Sequence, residues 1–254
     1  MKAFHCLLST LLVVSALAAP AGFAQAPLAD PPANQDGHDH QEIDPKLLIK
    51  AQAAYALLKS EQPPLVIDVR SRPEFNAEHI QGAISYPYTT IKTEAKYPFA
   101  KERKLLLYCG CPHHLSGLSA EILKQRGYPD VVVIDEGYWG WKAMGLPIMR
   151  NPNAPKQVSM SVSGQVRRAS GTAAAFKDIF LLHPASGQLE ATRTDREGRF
   201  TMHLHFGGVA SADVVRLSMD DLTLNELTLG ELGTELMLEL PERQAGKSGA
   251  DRSL

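Results

Sequence analysis

An α/β domain with a central parallel sheet flanked by helices, followed by an all-β sandwich domain, is the fold class that this sequence predicts. Three observations predict it. The apolar runs Leu65-Val66-Ile67, Leu105-Leu106-Leu107-Tyr108 and Val131-Val132-Val133-Ile134 lack alternation, as do strands buried on both faces. Between the second and third runs, Leu118 to Arg126 has the apolar spacing of a covering helix. Beyond residue 157 the pattern changes to short segments divided by Gly, Ser, Asp and Pro at turn-like intervals, which reads as an antiparallel β-sandwich.

Taken in order, residues 1–24 read as a secretory signal peptide. Lys2 supplies the positive start, Leu7 to Ala19 the apolar stretch, and Ala18, Ala19, Ala21, Gly22, Ala24 and Ala26 the small-residue exit. Cleavage is placed after Ala24, because a cut after Ala26 leaves Pro27 at the new terminus. The mature product is therefore expected to be periplasmic or secreted. No later segment approaches the roughly 20 continuous apolar residues of a membrane span. Loss of the leader removes Cys6, so Cys109 and Cys111 remain of three cysteines and a disulfide-stapled scaffold is excluded. Residues 25–41, with His38 and His40, read as a solvated, disordered tail.

The α/β domain is placed at 42–149. Asp44 caps a helix with Pro45 in its first turn and Leu47, Leu48, Ala51, Ala54, Tyr55 and Leu58 at helical spacing, stopped by Pro63-Pro64. Residues 150–157 form a linker. The sandwich domain, 158–241, takes strands at Val158 to Val166, Ile179 to Leu182, Glu190 to Thr194, Arg199 to His205 and Val214 to Met219, and a polar tail, 242–254, closes the chain. The net charge of -2 and pI near 6.5 offer no basic surplus, so nucleic acid is excluded as an expected partner.

In an open parallel sheet, ligands sit at the carboxyl ends of the strands, where Asp68 and Cys109 fall. The segment Gly110-Cys111-Pro112-His113-His114-Leu115-Ser116-Gly117 then enters the helix expected from Leu118. A loop wrapped at a helix N-terminus aims amides and the positive dipole end at its centre, which lowers a thiol's pKa and attracts an anion. Cys109 is thus a candidate nucleophile.

Leu65-Val66-Ile67-Asp68-Val69-Arg70, with Pro73-Glu74-Phe75 and Glu78-His79-Ile80-Gln81-Gly82-Ala83, resembles the first signature of the rhodanese family. Tyr108-Cys109, Gly127 and the run from Val133 through Gly137, Trp141 and Gly145 to Pro147 resemble the remainder, over residues 42 to 149. The resemblance implies a thiosulfate sulfurtransferase-like enzyme without a cofactor. Its Cys109 thiolate takes sulfane sulfur from a small donor as a persulfide and passes it to a thiol or thiophilic acceptor. It also implies that Gly110 to Ser116 are the cradle of that sulfur.

The loop departs from the family by carrying no Arg or Lys. His113 and His114 stand where a fixed cation is expected, which implies a weaker pull on thiosulfate and a steeper pH dependence. Cys111 offers a second thiol that modulates release of the sulfur. The alternative is a non-catalytic module in which Cys109, Cys111 and one of the two histidines bind Cu or Zn, or in which the Cys109–His114 loop binds a partner protein. Asp68 and Arg70 read as an ion pair supporting the loop, Glu74 as a scaffold contact, His79 as a packing residue, and Trp139 and Trp141 as core and rim aromatics. Val162-Ser163-Gly164-Gln165-Val166, Lys177 to Leu182 and Glu190 to Phe200 resemble the transthyretin-like sandwich found beside carboxypeptidases. That likeness implies a binding or structural module, through which a protein partner is expected. His203 and His205 alternate on one strand face and read as exposed surface histidines.

Overall fold

The computed structural model describes residues 43–233 and 235–241, and the leader and both tails expected from the sequence lie outside them. The chain enters through a 3-10 turn, Pro45–Leu47, where the Lys46 amide donates to Asp44 Oδ1 at 3.1 Å. β1 (Leu48–Ile49) and α1 (Ala51–Leu58) follow. The single helix expected from Asp44 to Leu58 is therefore three pieces. Leu48 and Ile49 pair in parallel with Val133 and Ile134, so tertiary strand pairing overrides helical periodicity. The start of α1 is capped from a distance, its Ala51 amide donating to Glu136 Oε2 at 2.8 Å.

Next come β2 (Leu65–Asp68), α2 (Arg72–Ala77), β3 (Glu78–Ile80), β4 (Ile84–Ser85) and α3 (Tyr88–Thr93). They are followed by β5 (Leu105–Tyr108), α4 (His114–Gln125), β6 (Val131–Ile134), α5 (Gly137–Ala143) and β7 (Ile148–Arg150). The sheet order is β1-β6-β5-β2-β4, with every adjacent pair parallel. β3 and β7 form a separate antiparallel pair. Every residue of β5 is buried, as befits a central strand covered on both faces. Its side chains alternate between two cores. Leu105, Leu107 and Cys109 meet Ile91 of α3 and Leu115, Ala120 and Leu123 of α4. Leu106 and Tyr108 meet Ala51 and Ala54 of α1 and Tyr138 and Trp141 of α5. This packing fixes the ends of β2 and β5, and so Asp68 and Cys109, side by side.

The helix expected from Leu118 begins earlier, at His114. Its first turn closes with the Gly117 amide donating to His113 O at 2.8 Å. The mixed residues of that turn carry no apolar period, so sequence pattern hides it.

The second domain comprises β8 (Gln157–Arg168), β9 (Asp178–His183), β10 (Gln188–Arg193), β11 (Arg199–Gly207), β12 (Val214–Met219), β13 (Leu222–Thr228) and β14 (Leu236–Leu240). Two sheets, β10-β9-β12-β13 and β11-β8-β14, enclose Val162, Leu181, Met202, Leu204, Leu217 and Leu238. Asp195 Oδ1 accepts from the amides of Glu197 and Arg199, closing the tight turn that leads into β11. β13 and β14 are additions to the strands read from sequence. β14 also runs parallel to β8, a departure from the fully antiparallel sandwich. The pairing of this last strand is a tertiary event without a local turn to announce it.

The two domains are in contact. Phe180, Leu189 and Ala191 join the same apolar cluster as Cys109. Phe180 stacks on Tyr88 with ring centroids 5.9 Å apart, and Lys92 Nζ lies 3.2 Å from Asp221 Oδ1. α4 packs on β10, and α2 on β10 and β11.

Candidate active site

The floor of the site is a buried ion pair at the end of β2. Arg70 Nη2 donates to Asp68 Oδ2 and to the Glu78 carbonyl, both at 2.7 Å, while Nε donates to Asp68 Oδ1 at 3.1 Å. Its guanidinium carbon lies 4.0 Å from the centre of the Tyr138 ring. These partners occupy Arg70, so it props the site and is not a free anion receptor. Glu74 closes a capping box on α2 by accepting from the Ser71 amide at 3.1 Å and the Ser71 hydroxyl at 2.6 Å. Burial, partly offset by Arg70 and Ser71, lifts its carboxyl to about 7.

Cys109 extends from β5 directly into the loop. The amides of Ser116 and Leu115 are turned toward its Sγ. The thiol lies 3.3 Å from Ser116 Oγ and donates to the Cys111 carbonyl at 3.2 Å. The N-terminus of α5 braces the loop from behind. The Tyr138 amide donates to Cys109 O at 2.8 Å and the Trp139 amide to Gly110 O at 3.3 Å. Gly137 makes this approach possible: at φ +63°, a Cβ there would stand 2.6 Å from Cys111 O and 2.8 Å from Gly110 O.

Two amides and a hydroxyl face the thiol, but the expected lowering of its pKa is overturned. Cys109 is only 1% exposed, inside the apolar cluster that Ala191, Leu189 and Phe180 of the second domain also join. Desolvation outweighs the amides and the Ser116 hydroxyl and pushes its thiol up to about 11. Burial and the Glu190 carboxyl also raise the Cys111 thiol. Cys109 and Cys111 are both free thiols.

Neither histidine fills the place of a fixed cation. His113, in the left-handed region at φ 37°, turns its Nδ1 to Asp135 Oδ1 at 3.0 Å. His114 turns to the sandwich, with Nε2 3.5 Å from Asp178 Oδ1. Among the described residues, no three His, Cys, Asp or Glu side chains gather into a metal-holding group. Pro112 and Cys111 complete the bend before His113.

Elsewhere, His79 stacks on Phe75 at 3.9 Å and shares a hydrogen bond with its carbonyl. Trp141 is buried and donates to Pro147 O at 3.1 Å. The surface reading of His205 is corrected: its ring lies 4.2 Å from that of Trp139, and burial lowers its pKa to about 4. His203 shares a hydrogen bond with Ser161 Oγ at 2.9 Å. The site residue that sequence reasoning missed is Glu190, buried on β10 beside the loop. Its one signal was an acid within an otherwise apolar stretch, Leu189-Glu190-Ala191.

Residues 50–144 match the family model described as the rhodanese-like domain. The chain is similar to an uncharacterized protein of Synechocystis sp., 30% identical over 115 residues that cover 45% of this chain and 61% of that protein. It thus spans about three-fifths of that relative's length. It is also similar to the uncharacterized protein YibN of Escherichia coli, 27% identical over 41% of this chain and 73% of that one. Among solved structures, a rhodanese-like domain from Anabaena sp. matches with 24% identity and a TM-score of 0.39, over 43% of this chain and 85% of that one. A thiosulfate sulfurtransferase from Pseudomonas aeruginosa matches with 24% identity and a TM-score of 0.36, over 41% of this chain and 20% of that one.

Proposed function

We propose, with a rhodanese-like domain at residues 50–144 as the premise, that this chain is an exported persulfide carrier of the sulfurtransferase type, with Cys109 as its sulfur-bearing residue. The observation that carries this reading is the cradle at Cys109 Sγ, formed by two backbone amides and the Ser116 hydroxyl. In uptake, the Cys109 thiolate attacks the outer sulfur of a sulfane donor. A new S–S bond forms, the donor's S–S bond breaks, and the leaving group takes the electron pair. In discharge, an acceptor thiolate attacks the outer sulfur of the persulfide and restores the Cys109 thiolate. The amides stabilise the terminal sulfur's negative charge at each stage.

Burial adds a requirement. The packing around Cys109 has to open for a donor to enter, and its return shields the persulfide from water and stray thiols. The reading of the sandwich as a transthyretin-like binding module belongs to this proposal, with closure over Cys109 as one use of it. Cys111, two residues on, is assigned to discharge.

Intact mass measurement after exposure to a sulfane donor tests these roles. Wild type gains one sulfur on Cys109, Cys109→Ser gains none, and Cys111→Ser loads normally but discharges at an altered rate. Equal loss from both variants contradicts the assignment. Export is supported by the charged start, apolar stretch and small-residue exit of the leader. N-terminal sequencing of protein recovered outside the cytoplasm is expected to begin at Gln25; an intact Met1 there contradicts cleavage.

A further inference from the structure

Glu190 is a buried acid, 3% exposed, on the strand β10 that packs on α4. Such a group is costly unless something completes it. It stands at the reactive loop. Its Oε1 and the indole nitrogen of Trp139 lie 3.7 and 3.5 Å from the point where a Cβ on Gly110 would be. That indole nitrogen is also buried and without a hydrogen-bond partner. One buried carboxyl and one unsatisfied N–H donor therefore flank the residue next to the sulfur carrier.

The surrounding charges define what fits. Arg70 is already engaged by Asp68, and Gly110 to Ser116 contain no Lys or Arg. His205 is neutral near pH 7 because burial depresses its pKa. Glu74 adds a second acid on the α2 side, and burial with that neighbour outweighs the pull of Arg70 and holds Glu190 well above the ordinary carboxylate range. Lys142, 4.7 Å over the Trp139 ring, is engaged by Glu78 at 2.6 Å as Arg70 is by Asp68, so Glu190 favours a proton or a further cation beside it, whereas an oxyanion meets only cations that are already paired.

Building on the persulfide-carrier reading, we infer that Glu190 determines the substrate class of Cys109: small thiols and persulfides bearing an ammonium group near the sulfur, in preference to oxyanions such as thiosulfate. The ammonium takes the place of the Glu190 proton, and a hydrogen-bond acceptor beside it meets the Trp139 N–H. Glu190 acts on selection, not on the sulfur itself.

The test uses three methanethiosulfonate reagents matched in size, carrying aminoethyl, hydroxyethyl and sulfonatoethyl groups, on the full chain with Cys111→Ser. Each joins Cys109 by the same step: the thiolate attacks the thioalkyl sulfur, a mixed disulfide forms, and methanesulfinate leaves with the electron pair. Rates are read where they rise linearly with reagent and are divided by those of a free cysteine peptide. The normalised cation-to-anion ratio is expected to exceed one by about tenfold or more, the scale of one opposed charge in a half-desolvated site. Glu190→Gln is expected to return it to near one with little change for the neutral reagent, and Glu190→Asp to retain most of it.

A wild-type ratio equal to that of the peptide, or one that Glu190→Gln leaves intact, overturns the inference. Should Glu190→Gln fail to fold, the wild-type ratio and Glu190→Asp still decide it. None of these readings requires sulfur uptake, so failure of Cys109 to accept sulfur would sink the carrier reading separately.

Discussion

At the scale of the residue, Cys109 is governed by two opposed effects. The amides of Leu115 and Ser116 and the Ser116 hydroxyl favour the thiolate, while removal from water disfavours it. Desolvation prevails, and the thiol sits near 11. The fraction of thiolate at pH 7 is then about one in ten thousand. The rate of Cys109 modification by a neutral thiol reagent is accordingly expected to climb about tenfold per pH unit up to pH 10 or beyond, measured in the Cys111→Ser background. A plateau near pH 8 would show a thiol that is not desolvated. The linkage has a definite sign. A pKa raised above 9.0 in the closed protein favours closure below pH 9, and that contribution is lost as pH rises toward 11.

The element that sets this geometry is the join between the loop after β5 and the N-terminus of α5. Tyr138 and Trp139 donate their amides to the loop carbonyls, which works only while Gly137 presents no side chain. Gly137→Ala adds a methyl group against two carbonyl oxygens and forces a positive φ on a residue with a Cβ. The combined cost is expected to be about 2–3 kcal/mol, read as a fall in urea unfolding free energy, with faster labelling of Cys109 as the loop loosens. An unchanged midpoint and labelling rate would show that the brace carries no strain. The spacing of α4 shows why sequence located this region only in part. Leu118 onward is periodic, but the first turn at His114 is held by its backbone bond to His113.

For the whole molecule, the decisive contact is the packing of the sandwich against the domain that holds the cysteine. Phe180 anchors it by stacking on Tyr88 and entering the cluster that contains Cys109. Phe180→Ala is expected to weaken closure by about 1–3 kcal/mol and to speed Cys109 modification by roughly tenfold or more at neutral pH. Thiol-labelling kinetics followed by mass measurement check it. An unchanged rate would mean that reagents reach Sγ by a path that leaves this contact in place.

The unbroken apolar runs determined the buried parallel strands by themselves, because strands covered on both faces leave no room for alternating polar residues. Asp68 and Cys109 were legible for the same reason: they follow such runs at the carboxyl ends of strands. Tertiary structure alone decided that Leu48 and Ile49 leave helical geometry to pair with β6, that His113 and His114 turn to Asp135 and Asp178, and that Glu190 comes to stand beside Gly110. The sequence contains both sides of each contact, but their meeting depends on how two domains and distant strands pack. The thiol's raised pKa belongs to that second group, since a helix N-terminus is readable from local pattern, whereas loss of solvent is a property of the assembled fold.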